Sequence, residues 1–205
     1  MSDNNTEHSG ELIHRDTSAL IVIDVQEKLI EKISNSDRMV WNITRLARGA
    51  AEFDVPVFAT EQYPSGLGST VESLQSYFPE PVEKTRFSCA QCTGIVQTLR
   101  DAGRFQVVLA GIESHVCVVQ SALELMGLGF RVFVVEDAVS GRFPDSHRLA
   151  MLRLSASGAT LLPTESALFE WCEDASDPQF KAISGLVRED PPESERVVSG
   201  FMAST

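Results

Sequence analysis

The stretch Ala19-Leu-Ile-Val-Ile23, followed directly by Asp24, decides how the rest of the chain is interpreted. Five consecutive apolar residues without alternation are typical of a strand that is buried on both faces, as in a parallel sheet. Similar β-branched runs recur along the chain. They lie at 55–59, 105–110 and 131–135, with weaker ones near 81–84 and 159–162.

Segments of helical period separate these runs, at 38–53, 91–103, 115–128 and 145–157. In the third of them, Val116, Val119, Leu123 and Met126 are spaced to form one apolar stripe. Strands that alternate with helices predict an α/β fold, in which helices on both faces cover a mainly parallel six-stranded sheet.

The size and charge of the chain limit the classes of protein it can belong to. Its 205 residues suit one domain, and its apolar runs are far shorter than the roughly 20 residues of a membrane helix. The net charge of −12 disfavours binding to nucleic acid or to an anionic membrane. The polar N-terminus carries no recognisable signal peptide, so we expect a cytoplasmic protein with no membrane contact.

Three regions are expected along the chain. Residues 1–16 form a polar extension, 17–187 the folded domain, and 188–205 a charged tail broken by prolines. Asp177-Pro178 is expected to open a short helix that carries Phe180, Ile183 and Leu186. The connection 61–80 is rich in turn residues and is a candidate wall for a site.

Reactive side chains follow several strands at the same edge of the predicted sheet. Asp24 follows the first strand, Lys84 ends a weak one, and Cys117 opens the helix after the run at 105–110. Ligands of open parallel sheets bind at the carboxyl ends of the strands, so these three residues should converge. Each also has an ordinary structural interpretation: a turn carboxylate, a solvated lysine and a small buried thiol.

The three side chains make chemical sense together. A thiol attacks carbon as a thiolate, and its ordinary pKa is roughly 8.5. A helix N-terminus and the Lys84 ammonium are expected to lower the pKa of Cys117, with Asp24 as general base and later as acid. Free N–H groups at the helix start could receive an oxyanion. The remaining cysteines, Cys89, Cys92 and Cys172, give no disulfide framework and are expected to be reduced core or pocket residues.

Three ordered motifs resemble those of isochorismatase-like cysteine hydrolases, over about residues 17–170. They are Ala19-Leu-Ile-Val-Ile-Asp-Val-Gln-Glu-Lys-Leu29, Glu83-Lys-Thr-Arg-Phe-Ser-Cys89 and Gly111-Ile-Glu-Ser-His-Val-Cys-Val118. The last motif and Thr60-Glu-Gln-Tyr-Pro-Ser-Gly-Leu-Gly68 look most like the isochorismatase-domain-containing branch.

This resemblance implies a Rossmann-like three-layer fold and an Asp24, Lys84 and Cys117 triad. It implies a cis peptide between Ile112 and Glu113, and an oxyanion hole made of the backbone N–H groups of Glu113 and Cys117. It also implies a homo-oligomer, either a dimer or a tetramer, and the apolar residues Phe180, Ile183 and Leu186 near the charged tail are a second argument for one. The candidate pocket residues are Gln26, Gln62, Tyr63, Phe87, His115 and Phe143.

The expected function is metal-independent hydrolysis of a small amide, ester or enol ether, with no cofactor. One alternative is a nicotinamidase-type metal-dependent amidase. That family carries an Asp and two His ligands after the second strand, where this chain has Glu61, Gln62 and Tyr63. The other alternative is a non-catalytic binding protein, because a fold does not fix a function. Arg86 and Arg142 could provide the positive charge that an anionic substrate would need.

Overall fold

One parallel sheet forms the centre of the protein, in a computed structural model that describes residues 9–192. In the described residues the sheet has six strands in the order β3-β2-β1-β4-β5-β6, and every neighbouring pair is parallel. The strands are β1 (Ser18–Ile23), β2 (Val57–Gln62), β3 (Val82–Lys84), β4 (Gln106–Ile112), β5 (Arg131–Ser140) and β6 (Thr160–Leu162). The predicted fold class is therefore confirmed.

Helices cover both faces of the sheet. Those described are α1 (Glu27–Ile30), α2 (Ser36–Glu52), α3 (Pro64–Leu67), α4 (Glu72–Gln75), α5 (Thr93–Asp101), α6 (Val119–Gly127), α7 (Pro144–Ala156), α8 (Thr164–Cys172) and α9 (Phe180–Val187). Two shorter turns of helix precede α5 and α6, at Cys89–Gln91 and Ser114–Val118. The second is a π-helical turn and contains Cys117.

Alternation along β1 explains why the sheet has a hydrophobic core on each side. Leu20 and Val22 pack into the core that α2, α8 and α9 cover. Ala19, Ile21 and Ile23 pack into the core that α5, α6 and α7 cover. Every residue of β1 is buried, as expected for a central strand.

The C-terminal half differs from the sequence-based expectations in one additional helix and in the packing of another. The helix α8 was not predicted, although Ala167, Leu168 and Trp171 form an apolar face on it, and all three are buried. The predicted short helix after Asp177-Pro178 is confirmed as α9. Its Ile183 and Leu186 are buried in the core of the same chain, so they provide no argument for a subunit interface.

The predicted domain boundaries remain predictions, because residues 1–8 and 193–205 lie outside the described residues. Residues 9–16 lie against the domain. Ile13 is fully buried in the core, and its N–H donates to the Glu170 carboxylate at 2.8 Å. Among the described helices, none combines the length and the apolar character needed to cross a bilayer.

Three strands extend further toward the carboxyl edge of the sheet than the ends of their apolar runs in the sequence predict. β2 ends at Gln62, β4 at Ile112 and β5 at Ser140. The extension of β4 depends on Gly111, whose φ is +112°. A Cβ at this position would lie 2.1 Å from the carbonyl oxygen of Ile23, so only glycine allows β4 to approach the end of β1 this closely. The segment that carries Cys117 is thereby brought beside Asp24.

Candidate active site

A buried ion pair lies at the carboxyl edge of the sheet. Lys84 Nζ is 2.6 Å from Asp24 Oδ2, and the side chains of Lys84 and Asp24 are 3% and 0% exposed. Lys84 Nζ also donates to Gln62 Oε1 at 2.7 Å and to the Phe87 carbonyl at 3.0 Å. An ammonium has three N–H donors, so these contacts satisfy all of them. The Lys84 charge is held entirely within the protein.

Asp24 is held from two directions. Its Oδ1 accepts a hydrogen bond of 2.7 Å from the Thr60 hydroxyl, while Oδ2 faces Lys84. The backbone of Asp24 is left-handed, with φ at +54°, and turns the chain sharply after β1. Burial raises the pKa of the Asp24 carboxyl, and Lys84 opposes that shift. A carboxylate with a raised pKa is a stronger base than an exposed one.

Cys117 lies beside this pair, and its sulfur interacts with Asp24 by charge and through a side-chain hydrogen bond. The sequence led us to expect a lowered thiol pKa, and that expectation is wrong. Burial and the neighbouring Asp24 carboxylate raise the pKa of Cys117 above its ordinary value, and they outweigh Lys84. The physical reason is that Asp24 offsets the Lys84 charge, so the sulfur faces a nearly neutral pair in a dry environment. The resting thiol is therefore protonated.

The segment before Cys117 places a backbone donor at the sulfur. The peptide bond between Ile112 and Glu113 is cis. A hydrogen bond from the Glu113 backbone reaches the Cys117 sulfur and favours the thiolate. The carboxylate of Glu113 points toward Arg142, whose Nε lies 3.0 Å from Glu113 Oε2. This contact joins residues 113–117, which include Cys117, to the residues that follow β5.

Two of the candidate pocket residues hold the framework of the site. Gln26 is fully buried, and its amide bonds the Gln62 backbone N–H at 2.7 Å and the Gly68 carbonyl at 2.6 Å. Gln62 accepts from Lys84 and donates through Nε2 to the Thr85 carbonyl at 2.8 Å. Their polar groups are thus used inside the protein. Gln26 and Gln62 therefore remain candidate pocket residues only as parts of the pocket wall.

The aromatic candidates are exposed. Tyr63, Phe87 and Phe143 expose 57%, 50% and 58% of their surface. Tyr63 and Phe87 flank Lys84, since the Tyr63 N–H donates to the Lys84 carbonyl at 2.9 Å and the Phe87 carbonyl accepts from the ammonium. His115 is half-buried. Its Nδ1 is buried and has no hydrogen-bond partner among the described residues.

Sequence reasoning missed two contacts of the candidate site, the hydrogen bond of the Thr60 hydroxyl to Asp24 and the ion pair of Arg142 with Glu113. Thr60 lies in β2 two residues before Gln62, which ends the strand, and its position near the carboxyl edge was a usable signal. No sequence signal pointed to the pairing of Glu113 with Arg142, because these residues are far apart in the chain.

The position at which nicotinamidases carry metal ligands is occupied differently in this chain. The Glu61 carboxylate is buried and accepts from the Thr70 N–H at 2.6 Å and from its hydroxyl at 2.8 Å. The next side chain, Gln62, holds Lys84. Within residues 9–192, no three His, Cys, Asp or Glu side chains gather in a way that could hold a metal ion.

Comparison with known proteins identifies the family. A sequence profile of the isochorismatase domain matches residues 18–166. The chain belongs to the isochorismatase family. It is 38% identical to isochorismatase domain-containing protein 2A of Mus musculus, over 87% of this chain and 86% of the mouse protein.

Solved structures of isochorismatase-fold proteins agree with this assignment. One is described as the MAR1 ribonuclease of Caenorhabditis elegans. It is 32% identical and superposes with a TM-score of 0.81, over 95% of this chain and 98% of that one. Another is YcaC of Pseudomonas aeruginosa, described with hexane-2,5-diol and covalent acrylamide. It is 26% identical with a TM-score of 0.79, over 87% and 93% of the two chains.

Proposed function

We propose that this isochorismatase-family protein is a metal-independent cysteine hydrolase of small amides, esters or enol ethers, with Asp24, Lys84 and Cys117 as its catalytic residues. The observation that carries this proposal is the Asp24–Lys84 ion pair, which is buried and whose hydrogen bonds are satisfied. It lies beside Cys117, and the sulfur of Cys117 also receives a hydrogen bond from the Glu113 backbone. Perturbed titratable groups that converge in this way are typical of catalytic sites.

For an amide or ester, the steps follow from the raised pKa values. The Cys117 sulfur forms a bond to the carbonyl carbon while its proton moves to Asp24, the neighbouring base. The carbonyl oxygen becomes an oxyanion, which the backbone N–H groups of Glu113 and Cys117 stabilise. Asp24 then returns the proton to the leaving amine or alcohol, which leaves a thioester. Water hydrolyses the thioester with Asp24 again as base, and the thiol is restored.

Lys84 has an electrostatic role in this scheme. It keeps Asp24 ionised in a buried position, because an isolated buried carboxylate would take up a proton instead. When Asp24 accepts the thiol proton, the Lys84 charge is no longer offset and can stabilise the thiolate. The pair therefore activates the thiol only during the attack, which agrees with a protonated resting state.

Metal-dependent amide hydrolysis receives less support from this site. The side chains at the nicotinamidase ligand position, Glu61 and Gln62, are engaged by Thr70 and Lys84. Activity that survives extensive chelation, and that is not increased by added Zn²⁺, Mn²⁺ or Fe²⁺, would agree with the proposal. Loss of activity on chelation with recovery on adding one metal would contradict it.

The ribonuclease described for the Caenorhabditis elegans relative suggests RNA as another substrate. The net charge of −12 opposes binding of an RNA backbone, because such binding relies on clustered positive charge. Incubation with single-stranded and structured RNA should yield no Cys117-dependent cleavage.

The decisive experiment is to trap the acyl-enzyme. The protein is mixed with a panel of small activated esters and primary amides, quenched in acid, and analysed by intact and peptide mass spectrometry. We expect an added acyl mass on Cys117 and its absence in Cys117→Ser, with Cys172→Ser as the matched control that keeps the adduct. Turnover of the panel with the acyl group on another residue would reject Cys117 as nucleophile. No turnover and no adduct would favour a non-catalytic binding protein.

A further inference from the structure

We propose that Arg142 is a positioning residue that clamps the Glu113 carboxylate and so fixes the Glu113 backbone N–H at the reacting sulfur. This inference rests on the proposed function, since it concerns the same site. Arg142 would act through Glu113 and not on the substrate.

The clamp consists of two N–H donors of Arg142 on the Glu113 carboxylate, and one of them is shared between both carboxylate oxygens. Arg142 Nε lies 3.1 Å from Glu113 Oε1 and 3.0 Å from Oε2. The backbone N–H of Arg142 donates to Glu113 Oε2 at 3.1 Å. The Glu113 side chain is 11% exposed and that of Arg142 is 47% exposed, so one partner is largely withdrawn from water. Charge-assisted contacts of several donors to one carboxylate fix orientation as well as adding energy.

The clamp holds because the segment that carries Arg142 is itself anchored. The Ser140 hydroxyl donates to the Ser34 carbonyl at 2.6 Å, and the Ser34 N–H donates to the Gly141 carbonyl at 3.1 Å. The Ser34 hydroxyl donates to the Arg142 carbonyl at 3.2 Å. Three bonds to Ser34, which lies between α1 and α2, thus pin residues 140–142. The Arg142 guanidinium is therefore attached to a backbone that these hydrogen bonds fix in place.

Gly141 lets the anchored residues 140–142 lie close to residues 113–117, which include Cys117. A Cβ at Gly141 would lie 3.1 Å from His115 Nδ1 and 3.2 Å from Ser114 Oγ. Residues 140–142 thus lie close to the side chains of Ser114 and His115, and Arg142 holds the side chain of Glu113. Misplacing an oxyanion donor by a small distance is costly, since such donors must meet the developing charge in a preorganised position.

The first test separates positioning from substrate binding by steady-state kinetics on the ester or amide that the wild type turns over. In Arg142→Gln we expect kcat to fall by about tenfold to a hundredfold, with KM changed by less than about threefold. Glu113→Gln, which keeps the backbone N–H but loses the charge, should give a similar loss. The double variant should be no worse than the poorer single variant, because both changes break the same contact. Arg142→Lys should recover part of kcat.

The matched control is Arg148→Gln, which removes an exposed arginine from α7 and should leave both constants unchanged. A different pattern would overturn the proposal: KM rises in Arg142→Gln while Glu113→Gln behaves as wild type. Arg142 would then contact an anionic substrate directly. Additive losses in the double variant would also contradict a shared clamp.

The second test needs no turnover, so it stands even if the proposed hydrolase activity fails. The Glu113 backbone bond favours the thiolate of Cys117, and loosening it should slow alkylation of Cys117 by iodoacetamide. We expect the rate at pH 8 to fall at least about threefold in Arg142→Gln and Glu113→Gln, and to stay unchanged in Arg148→Gln. Far-UV circular dichroism verifies that each variant is folded. Equal rates in all four folded proteins would reject the clamp, whatever the substrate panel shows.

Discussion

Lys84 Nζ lies 2.6 Å from Asp24 Oδ2, in a pair whose side chains are 3% and 0% exposed. Strand order explains this contact: β3 pairs with β2, and β2 pairs with β1, so residues 60 positions apart meet at one edge. Because both charges are buried, each depends on the other, and changes to either residue should alter the chemistry of Cys117.

Replacing Asp24 by Asn should abolish most of the activity. The amide cannot accept the thiol proton, and loss of a general base usually costs at least about a hundredfold in turnover. The cost in folding should be smaller, because the amide can keep part of the hydrogen bonding to Thr60 and Lys84. Turnover assays combined with urea unfolding measure both effects, with Asp37→Asn on the exposed start of α2 as control. Activity within threefold of wild type would remove Asp24 from the mechanism.

Replacing Lys84 by Met should slow the alkylation of Cys117. Without the ammonium, a charge that favours the thiolate is lost and Asp24 takes up a proton, so the thiol has neither a cation nor a base nearby. Labelling with iodoacetamide, followed by peptide mass spectrometry, gives the rate. Lys32→Met changes an exposed lysine and should have no effect. An unchanged rate in Lys84→Met would exclude Lys84 from thiol activation.

The alkylation rate of Cys117 should keep rising at pH values where an ordinary thiol has levelled off. A thiol with a pKa near 8.5 reaches its plateau about one pH unit above that value. The pKa of Cys117 is raised by burial and by Asp24, so its thiolate fraction should still increase above about pH 9.5. Rates from about pH 6.5 to 10.5 decide the question. A plateau at or below about pH 9.5 would contradict a raised pKa.

The other thiols should be still less reactive than Cys117 at neutral pH. Burial raises the pKa of all four thiols, that of Cys89 to about 12, so their pKa values do not separate them. The expected difference comes from Asp24, the base proposed beside Cys117, and from the hydrogen bond of the Glu113 backbone to its sulfur. Of the other thiols, Cys89 and Cys172 are only 1% exposed. Faster modification of Cys89 or Cys92 than of Cys117 in the same digest would contradict the assignment of the nucleophile.

Replacing Gly111 by Ala should destabilise the domain by about 3 kcal/mol or more, through the unfavourable positive φ and the close contact with Ile23. The matched control is Gly127→Ala at the end of α6, where a Cβ would meet no atom within 4 Å. That change should be neutral or mildly stabilising. Urea unfolding measures both. Equal midpoints for the two variants would show that β1 and β4 do not need this close approach.

A homo-oligomer, either a dimer or a tetramer, stays a prediction that rests on the family. The apolar residues of α9 no longer support it, because Ile183 and Leu186 are internal. Multi-angle light scattering at micromolar concentration should give at least twice the mass of 22.5 kDa for one chain. A single species of 22.5 kDa would refute the expectation.

Local sequence patterns determined the fold class and the edge on which the site lies. Uninterrupted apolar runs such as Ala19-Leu-Ile-Val-Ile23 have few alternatives to a buried parallel strand, and helical period between them fixes the layers. Because parallel strands share a carboxyl edge, the same pattern placed Asp24, Lys84 and Cys117 together. The ends of β2, β4 and β5 could not be located in this way, since the polar residues that extend them are held by partners distant in sequence.

The tertiary structure alone decided the charge state and the supports of the site. A pKa depends on burial and on every nearby charge. The residues that bury a group and the charges around it come from segments that are far apart in the sequence. The pKa of the Cys117 thiol was therefore expected to be lowered, whereas the dry surroundings and Asp24 raise it. The clamp of Arg142 on Glu113 is likewise invisible in the sequence, because it joins the ends of β4 and β5 only after the two strands have paired.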